Sequence, residues 1–321
     1  MWNAALYGVG WIPVGRNAVR VIVALCLMGL MLMPAEIEAA EYEVMTRTNI
    51  EYVQHDGVTL AGDLYLPKGL EKAPVLVAVH GGGWQGSSRD NYRYWGPFLA
   101  KNGYAVFAIS YRLSKPNAKT YPAAVYDVKA AVQFVRAKAG ELGVDPERIG
   151  MIGDSAGAHL ASLVALAGGE PLFSLDYRSD PQAAVSPAVK AVVGIYGVYD
   201  MQAQWEHDQL SRPHDQITEK FIGAPPTADR RVYFEASPTS YATRGKNSLR
   251  FLLVYGTADD IVDYTTQSQR FLLSLKQAGF FVRNIEIPGG PHFWISDPIE
   301  APGSIGSMVG PRLLRFLAAS L

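Results

Sequence analysis

The stretch "RIGMIGDSAGAHLASLVAL" (residues 148–166) passes from an apolar, strand-like segment through Gly153-Asp154-Ser155-Ala156-Gly157 into a helix-like segment with no spacer. A G-x-S-x-G run in that setting forces its serine onto a sharp, strained turn. Small neighbours on both sides let the following helix pack close against the strand. The turn exposes the serine hydroxyl and points the following N–H groups into the same space. A serine at a helix start can also serve only as a cap, but glycine on both sides of Ser155 favours the strained turn. Ser155 is therefore expected to be a nucleophile.

A serine hydroxyl is a poor nucleophile at neutral pH and needs a base, usually a histidine held by a carboxylate. The chain has six histidines. His55 lies in a hairpin turn, His80 and His159 belong to glycine motifs, and His207 and His214 sit in an irregular stretch. His292, in "IPGGPHFWI", follows the last strand-like run and is the expected base. Loops after strand C-termini converge on one edge of a parallel sheet, where ligands bind. The carboxylate should leave another strand end, and "LLVYGTADDIVDY" offers Asp259, Asp260 and Asp263. Asp259 ranks first and Asp260 second, because Asp259 stands midway between the strand end at Gly256 and Val262, which can pack back into the core. Asp154 is too close to Ser155 in the chain to reach round an imidazole and is read as a local hydrogen-bonding partner of the turn.

A second glycine motif, "VLVAVHGGGWQG" (75–86), fits the dinucleotide pattern G-x-G-x-x-G at Gly81, Gly83 and Gly86. That reading requires an acidic residue at the end of the next strand to hold a ribose. The next strand ends "FAISYRLS", with no Asp or Glu. The alternative is a loop whose backbone N–H groups receive an oxyanion formed during acyl transfer.

With Ser155, Asp259 and His292 in that order, G-D-S-A-G at the turn and H-G-G-G-W upstream, the chain resembles the α/β-hydrolase fold. It is most similar to the esterase branch around hormone-sensitive lipase and the smaller feruloyl-esterase-like proteins. The resemblance covers roughly residues 50–320. It implies an oxyanion hole built by Gly82, Gly83 and Ala156, with His80 holding the loop by hydrogen bonds. It also implies acyl transfer through an acyl-enzyme on a small ester, with amide or formamide cleavage as the same machinery applied to another bond. Acetyl or feruloyl esters are suggested by that branch. A hydrolase fold turned binding module normally lacks one of the three catalytic groups, and all three candidates are present. Lipase-like members carry a helical cap ahead of the glycine motif, whereas here about 40 residues separate the expected mature start from His80. Any cover over the site therefore falls to insertions. Trp84, Tyr92 and Trp95 are candidates to line a pocket, with core or surface filler as the alternative.

The surrounding sequence fits that architecture. Two alternating stretches around Asp56-Gly57 predict an antiparallel hairpin at the sheet edge. Apolar runs at 75–80, 104–110, 148–153, 191–197, 250–256 and 281–287 alternate with helix-length segments, as in a mostly parallel central sheet with helices on both faces. The expected helices are 92–102, 123–142, 156–167, 264–278 and 309–321. Two stretches, 168–188 and 201–246, fit neither period and are expected to be lid-like insertions.

At 321 residues, 49% hydrophobic and with a formal net charge of -1, the chain offers a large core and no basic excess to gather nucleic acid or an anionic membrane. No paired-histidine helix or carboxylate cluster stands at metal-ligand spacing, so neither metal nor cofactor is expected. Arg16 and Arg20 precede the apolar run Val21–Met33, and Ala39 and Ala40 follow it, an order resembling a secretory signal peptide with a mature start near Glu41. Export to the periplasm or medium is expected, or anchoring if the segment is uncleaved. The only cysteine, Cys26, lies inside that run, so the mature chain would carry no thiol.

Overall fold

The computed structural model describes residues 41–321; the expected signal segment lies outside them. Eight strands form one sheet in the order β1-β2-β4-β3-β5-β6-β7-β8. β1 (Val44–His55) and β2 (Val58–Pro67) make the hairpin, turning through Asp56 at φ 50 and Gly57 at φ 78. Both central residues are left-handed, as the commonest two-residue hairpin turn requires and Asp-Gly suits. β2 runs antiparallel to β4 (Ala105–Ile109). From β4 onward β3 (Ala73–Val79), β5 (Val144–Asp154), β6 (Ala191–Ile195), β7 (Arg250–Gly256) and β8 (Phe281–Ile287) are all parallel. This is the α/β-hydrolase sheet.

The continuous apolar runs have the physical cause expected of them: every residue of β3 is buried, on alternating faces. Val75, Val77 and Val79 join one core with α2 (Ala123–Ala137) and α3 (Ala156–Ala167), while Leu76 and Ala78 join another with α1 (Trp95–Lys101) and α8 (Ile305–Ser320). Two layers of helix thus dry both faces, leaving the strand ends for chemistry.

The insertion at 168–188 carries one 3-10 turn, Pro171–Ser174, and otherwise only hydrogen-bonded turns and irregular chain. The stretch 201–246 departs from expectation, because most of it is helical. It folds as α4 (Met201–Ser211), α5 (Ile217–Ile222) and α6 (Arg230–Glu235), followed by short 3-10 turns. α4 buries Gln204 and Asp208 along with Met201, so no apolar stripe of helical period marks it. α5 and α6, at six residues each, are too short to display a period. The expected helix 123–142 is broken at Lys138 into α2 and a single turn, Ala139–Leu142, and α7 (Arg270–Gln277) follows a π turn at Thr265–Gln269.

Candidate active site

Ser155 sits between β5 and α3 with φ 51 and ψ -121, outside the ordinary regions for a residue with a side chain. Its N–H donates to Ile195 O (2.9 Å), tying the turn to β6. A Cβ on Gly157 would lie 1.9 Å from Val79 O, and one on Gly153 would lie 2.4 Å from Gly157 O. No larger residue allows α3 to start so close to β3 and β5. The sharp turn read from the motif is therefore a packing requirement.

His292 follows β8, and its Nε2 lies 3.1 Å from Ser155 Oγ across 137 residues of sequence. Its Nδ1 lies 2.7 Å from Asp259 Oδ2. An ionised carboxylate can only accept, which puts the imidazole proton on Nδ1 and leaves Nε2 as the acceptor for the serine hydroxyl. The other oxygen of Asp259 accepts from the N–H groups of Ile261 and Val262, both at 2.9 Å. These bonds aim the carboxylate before any substrate arrives. Asp260 is exposed, and its carbonyl accepts from His207 Nε2 (3.2 Å), so the choice between the two aspartates falls on Asp259. Asp263 caps the turn after it by accepting from Thr265 and Thr266.

The glycine loop faces the same cavity. Gly82 and Gly83 have φ 105 and φ 59, and the carbonyl of Gly82 accepts from Gln85 (3.1 Å) and Gly86 (3.0 Å). The first of these angles is one that only glycine adopts readily. Gly82, Gly83 and Ala156 line a cavity of about 490 Å³ together with Ser155 and His292. Gly81 N–H donates to Asp154 Oδ1 (3.0 Å), so Asp154 does link the serine turn to the glycine loop. Burial pushes the Asp154 carboxyl up to about 7 against the pull of its Gly81 and Tyr92 hydrogen bonds.

Two further histidines serve the scaffold. His80 Nδ1 donates to Gly81 O (2.7 Å), its ring stacks on Tyr111 at 4.4 Å, and the Tyr111 hydroxyl donates to its carbonyl (2.9 Å). His159 Nε2 donates to Ala236 O (2.7 Å), and its Nδ1 accepts from Trp84 Nε1 (3.1 Å). Burial lowers both histidines to about 4, so they stay neutral.

Of the three aromatic candidates, only Trp84 borders the cavity, stacked on Phe221 at 4.6 Å. Tyr92 and Trp95 are fully buried in the core on the α1/α8 side and line no part of the cavity. Their segment bends as the turn Arg89–Tyr92 followed by α1, which turns both rings under the sheet. Sequence reasoning did not single out the cap residues Gln204, Asp208, Arg212, Ile217 and Lys220, which form much of the opposite wall. The one local signal for α4, which carries Gln204 and Asp208, was Asp200, whose carboxylate accepts from Ala203 N–H (3.0 Å) as an N-cap. Among the described residues no group of His, Cys, Asp or Glu could hold a metal ion.

The BD-FAE family profile matches residues 62–275, more than half of the 321 residues. The chain belongs to the BD-FAE family. The BD-FAE match spans the glycine loop, the serine turn and Asp259, and stops short of His292. Mycobacterium tuberculosis esterase LipQ is 32% identical over 226 residues, covering 69% of this chain and 50% of LipQ. The probable carboxylic ester hydrolase LipM of the same organism is 33% identical over 207 residues, covering 64% of this chain and 45% of LipM. The chain thus spans about half the length of these curated relatives. Butyrate-bound esterase Est2 of Thermogutta terrifontis superposes with a TM-score of 0.68 at 25% identity, covering 89% of this BD-FAE chain and 96% of Est2.

Proposed function

We propose that this protein is a serine carboxylic-ester hydrolase acting on small or short-chain esters through Ser155, His292 and Asp259. The observation that carries the reading is the continuous path Asp259 Oδ2 to His292 Nδ1 (2.7 Å) and His292 Nε2 to Ser155 Oγ (3.1 Å), opening into a cavity. Ser155 Oγ attacks the ester carbonyl carbon while His292 Nε2 takes its proton. The resulting oxyanion is received by the N–H groups of Gly82, Gly83 and Ala156. Collapse expels the alcohol, which takes the proton from His292, and leaves an acyl group on Ser155. Water then repeats the sequence in reverse roles, with His292 as its base, and releases the acid. Asp259 keeps the imidazole in the tautomer that can accept, and stabilises it once protonated.

The cavity volume suits a compact substrate. Its walls are mixed: Trp84, Val198, Ile217 and Phe293 are apolar, while Gln204 and Asp208 bring hydrogen-bonding groups from α4. A short acyl chain joined to a polar alcohol matches those walls better than a long lipid chain does, and acetyl esters of hydroxyl-rich molecules are the substrates we favour. The test is a panel of chromogenic acyl esters of increasing length, with methyl ferulate, an acetylated sugar and a small amide, run on wild type and Ser155→Ala. We expect the shortest acyl esters to be turned over best and Ser155→Ala to be inactive. Turnover of the amide alone would remove the ester assignment, and unchanged activity in Ser155→Ala would remove the nucleophile.

A further inference from the structure

The two hydrogen bonds of His292 act at its nitrogens and the Cβ–Cγ bond ties the ring to its loop, so the ring's orientation is only as firm as that loop and the side chains packed on it. Phe293, from the same loop, meets the ring edge-on at 4.5 Å. A side chain from another element can press on the ring and steady both. Tyr196, the residue after β6, does so: its ring centroid lies 4.2 Å from that of His292 at an interplanar angle of 48°. The same side chain reaches further along the loop, where its hydroxyl accepts from Ile295 N–H (3.3 Å) and its ring meets Trp294 edge-on at 5.5 Å. Tyr196 therefore touches the loop on both sides of Phe293, which holds a left-handed φ of 69.

Tyr196 is itself 1% exposed and has φ 35, a conformation that a bulky aromatic adopts only under compulsion. Its N–H donates to Val254 O (2.6 Å) on β7, the strand whose end leads to Asp259. The nearby glycines do not explain this conformation: a Cβ on Gly194 or Gly197 would lie 2.2 or 2.6 Å from the Tyr199 hydroxyl, so both serve the packing of Tyr199. A strained backbone retained with a large side chain is a pointer to a function for that side chain. Neither the motif order nor any other contact of the triad assigns it one.

We propose that Tyr196 is a positioning residue that sets the tilt of the His292 ring and clamps the loop carrying it, so that Nε2 stays directed at Ser155. This rests on the reading of His292 as the general base. Misplacing a reacting group by about an ångström can cost on the order of 10²-fold in rate. The experiment compares Tyr196→Leu and Tyr196→Phe with wild type and with His292→Ala. It measures steady-state kinetics on a short-chain chromogenic ester and the downfield proton signal of the Nδ1–H bond to Asp259. Tyr196→Leu should lower kcat by roughly 10- to 100-fold with KM changed by less than about threefold, and should broaden or abolish the downfield signal. Tyr196→Phe keeps the ring, so most of kcat and the signal should survive, while the Ile295 amide should exchange faster. A folded Tyr196→Leu with wild-type kcat and an intact signal overturns the proposal. Should Tyr196→Leu fail to fold, Tyr196→Phe decides: wild-type kcat with an unaltered Ile295 exchange rate overturns it. Full activity in His292→Ala would instead remove the base assignment, whatever Tyr196 does.

Discussion

Two buried histidines in this molecule have the same kind of first partner, an aspartate on Nδ1, and differ in the second. His292 Nδ1 lies 2.7 Å from Asp259, and His55 Nδ1 lies 2.6 Å from Asp127. On the far nitrogen, His292 meets the hydroxyl of Ser155, whereas His55 meets a second carboxylate, Asp180, at 2.8 Å. A hydroxyl can donate, so the His292 nitrogen stays an open acceptor. An ionised carboxylate can only accept, so two such partners favour a ring that carries protons on both nitrogens. Burial opposes that charge, but the hydrogen bonds to Asp127 and Asp180 outweigh it and raise the His55 pKa above its ordinary value. One ring turns an acceptor nitrogen to a hydroxyl, and the other is held between two carboxylates that favour its protonated form.

The His55 cluster is a structural tie. Asp127 also accepts from Arg112 Nε (2.9 Å) and Nη2 (2.7 Å), and Arg112 pairs in turn with Asp56 and the Tyr177 hydroxyl. Tyr177 stacks on His55 at 3.8 Å. The hairpin turn, the loop after β4, α2 and the 168–188 insertion thereby meet at one point. Buried charges of this kind specify where segments sit, since each is costly when its partner is removed.

The contrast can be broken by neutralising the aspartate in each pair. Asp259→Asn should lower kcat by about 10⁴-fold with little change in the unfolding midpoint, because an amide favours the wrong imidazole tautomer. Asp127→Asn should leave kcat of the folded enzyme within a few-fold and lower the midpoint instead. Steady-state kinetics and urea titration of the two variants, side by side, decide the matter. If Asp127→Asn lost as much kcat as Asp259→Asn, the division of labour between the two sites would be wrong.

His55→Leu sharpens the structural half. It removes the ring shared by Asp127 and Asp180 while Arg112 still pairs Asp127, so the loss should fall short of the roughly 3–5 kcal/mol typical of a buried charge left without any partner. Equilibrium urea unfolding should show that loss; a change below about 1 kcal/mol would mean the cluster is solvated and contributes little.

The smallest expected effect is the pH dependence. A histidine whose folded pKa is raised contributes stability that is fully present below its unfolded pKa of about 6.5 and is lost as pH rises through the higher folded value. The stability difference between wild type and His55→Leu should therefore narrow from pH 6 towards alkaline pH. Asp154, raised to about 7, acts in the window between the ordinary aspartate range and 7, and subtraction of the two proteins removes it. A difference that widened with pH would show that His55 is neutral in the fold.

Much of the site was readable because it is built from local constraints. Ser155 needed glycines at 153 and 157, which are four residues apart in the sequence, and Asp259 needed the N–H groups two and three residues beyond it. Their spacing survives in one dimension. The role of His55 was not readable: Asp127 is 72 residues away and Asp180 is 125 away, and a histidine in a hairpin turn carries no mark of either. Tyr196 was hidden for a related reason, since it reads as one more residue of the apolar run 191–197 until the fold places it against His292 from 96 positions away. α4 escaped because it buries amides and carboxylates along the cavity, and periodicity detects only apolar stripes.

The sequence by itself determined the α/β-hydrolase order of strands and motifs, the strained serine turn, the glycine loop and the sequential order of the three candidate catalytic residues. Each of these follows from backbone sterics or from strand burial, which act over a few residues. Tertiary structure alone decided which histidine faces a hydroxyl and which is held between two carboxylates. That choice depends on the group facing the second ring nitrogen, and in both cases that group arrives from a distant part of the chain.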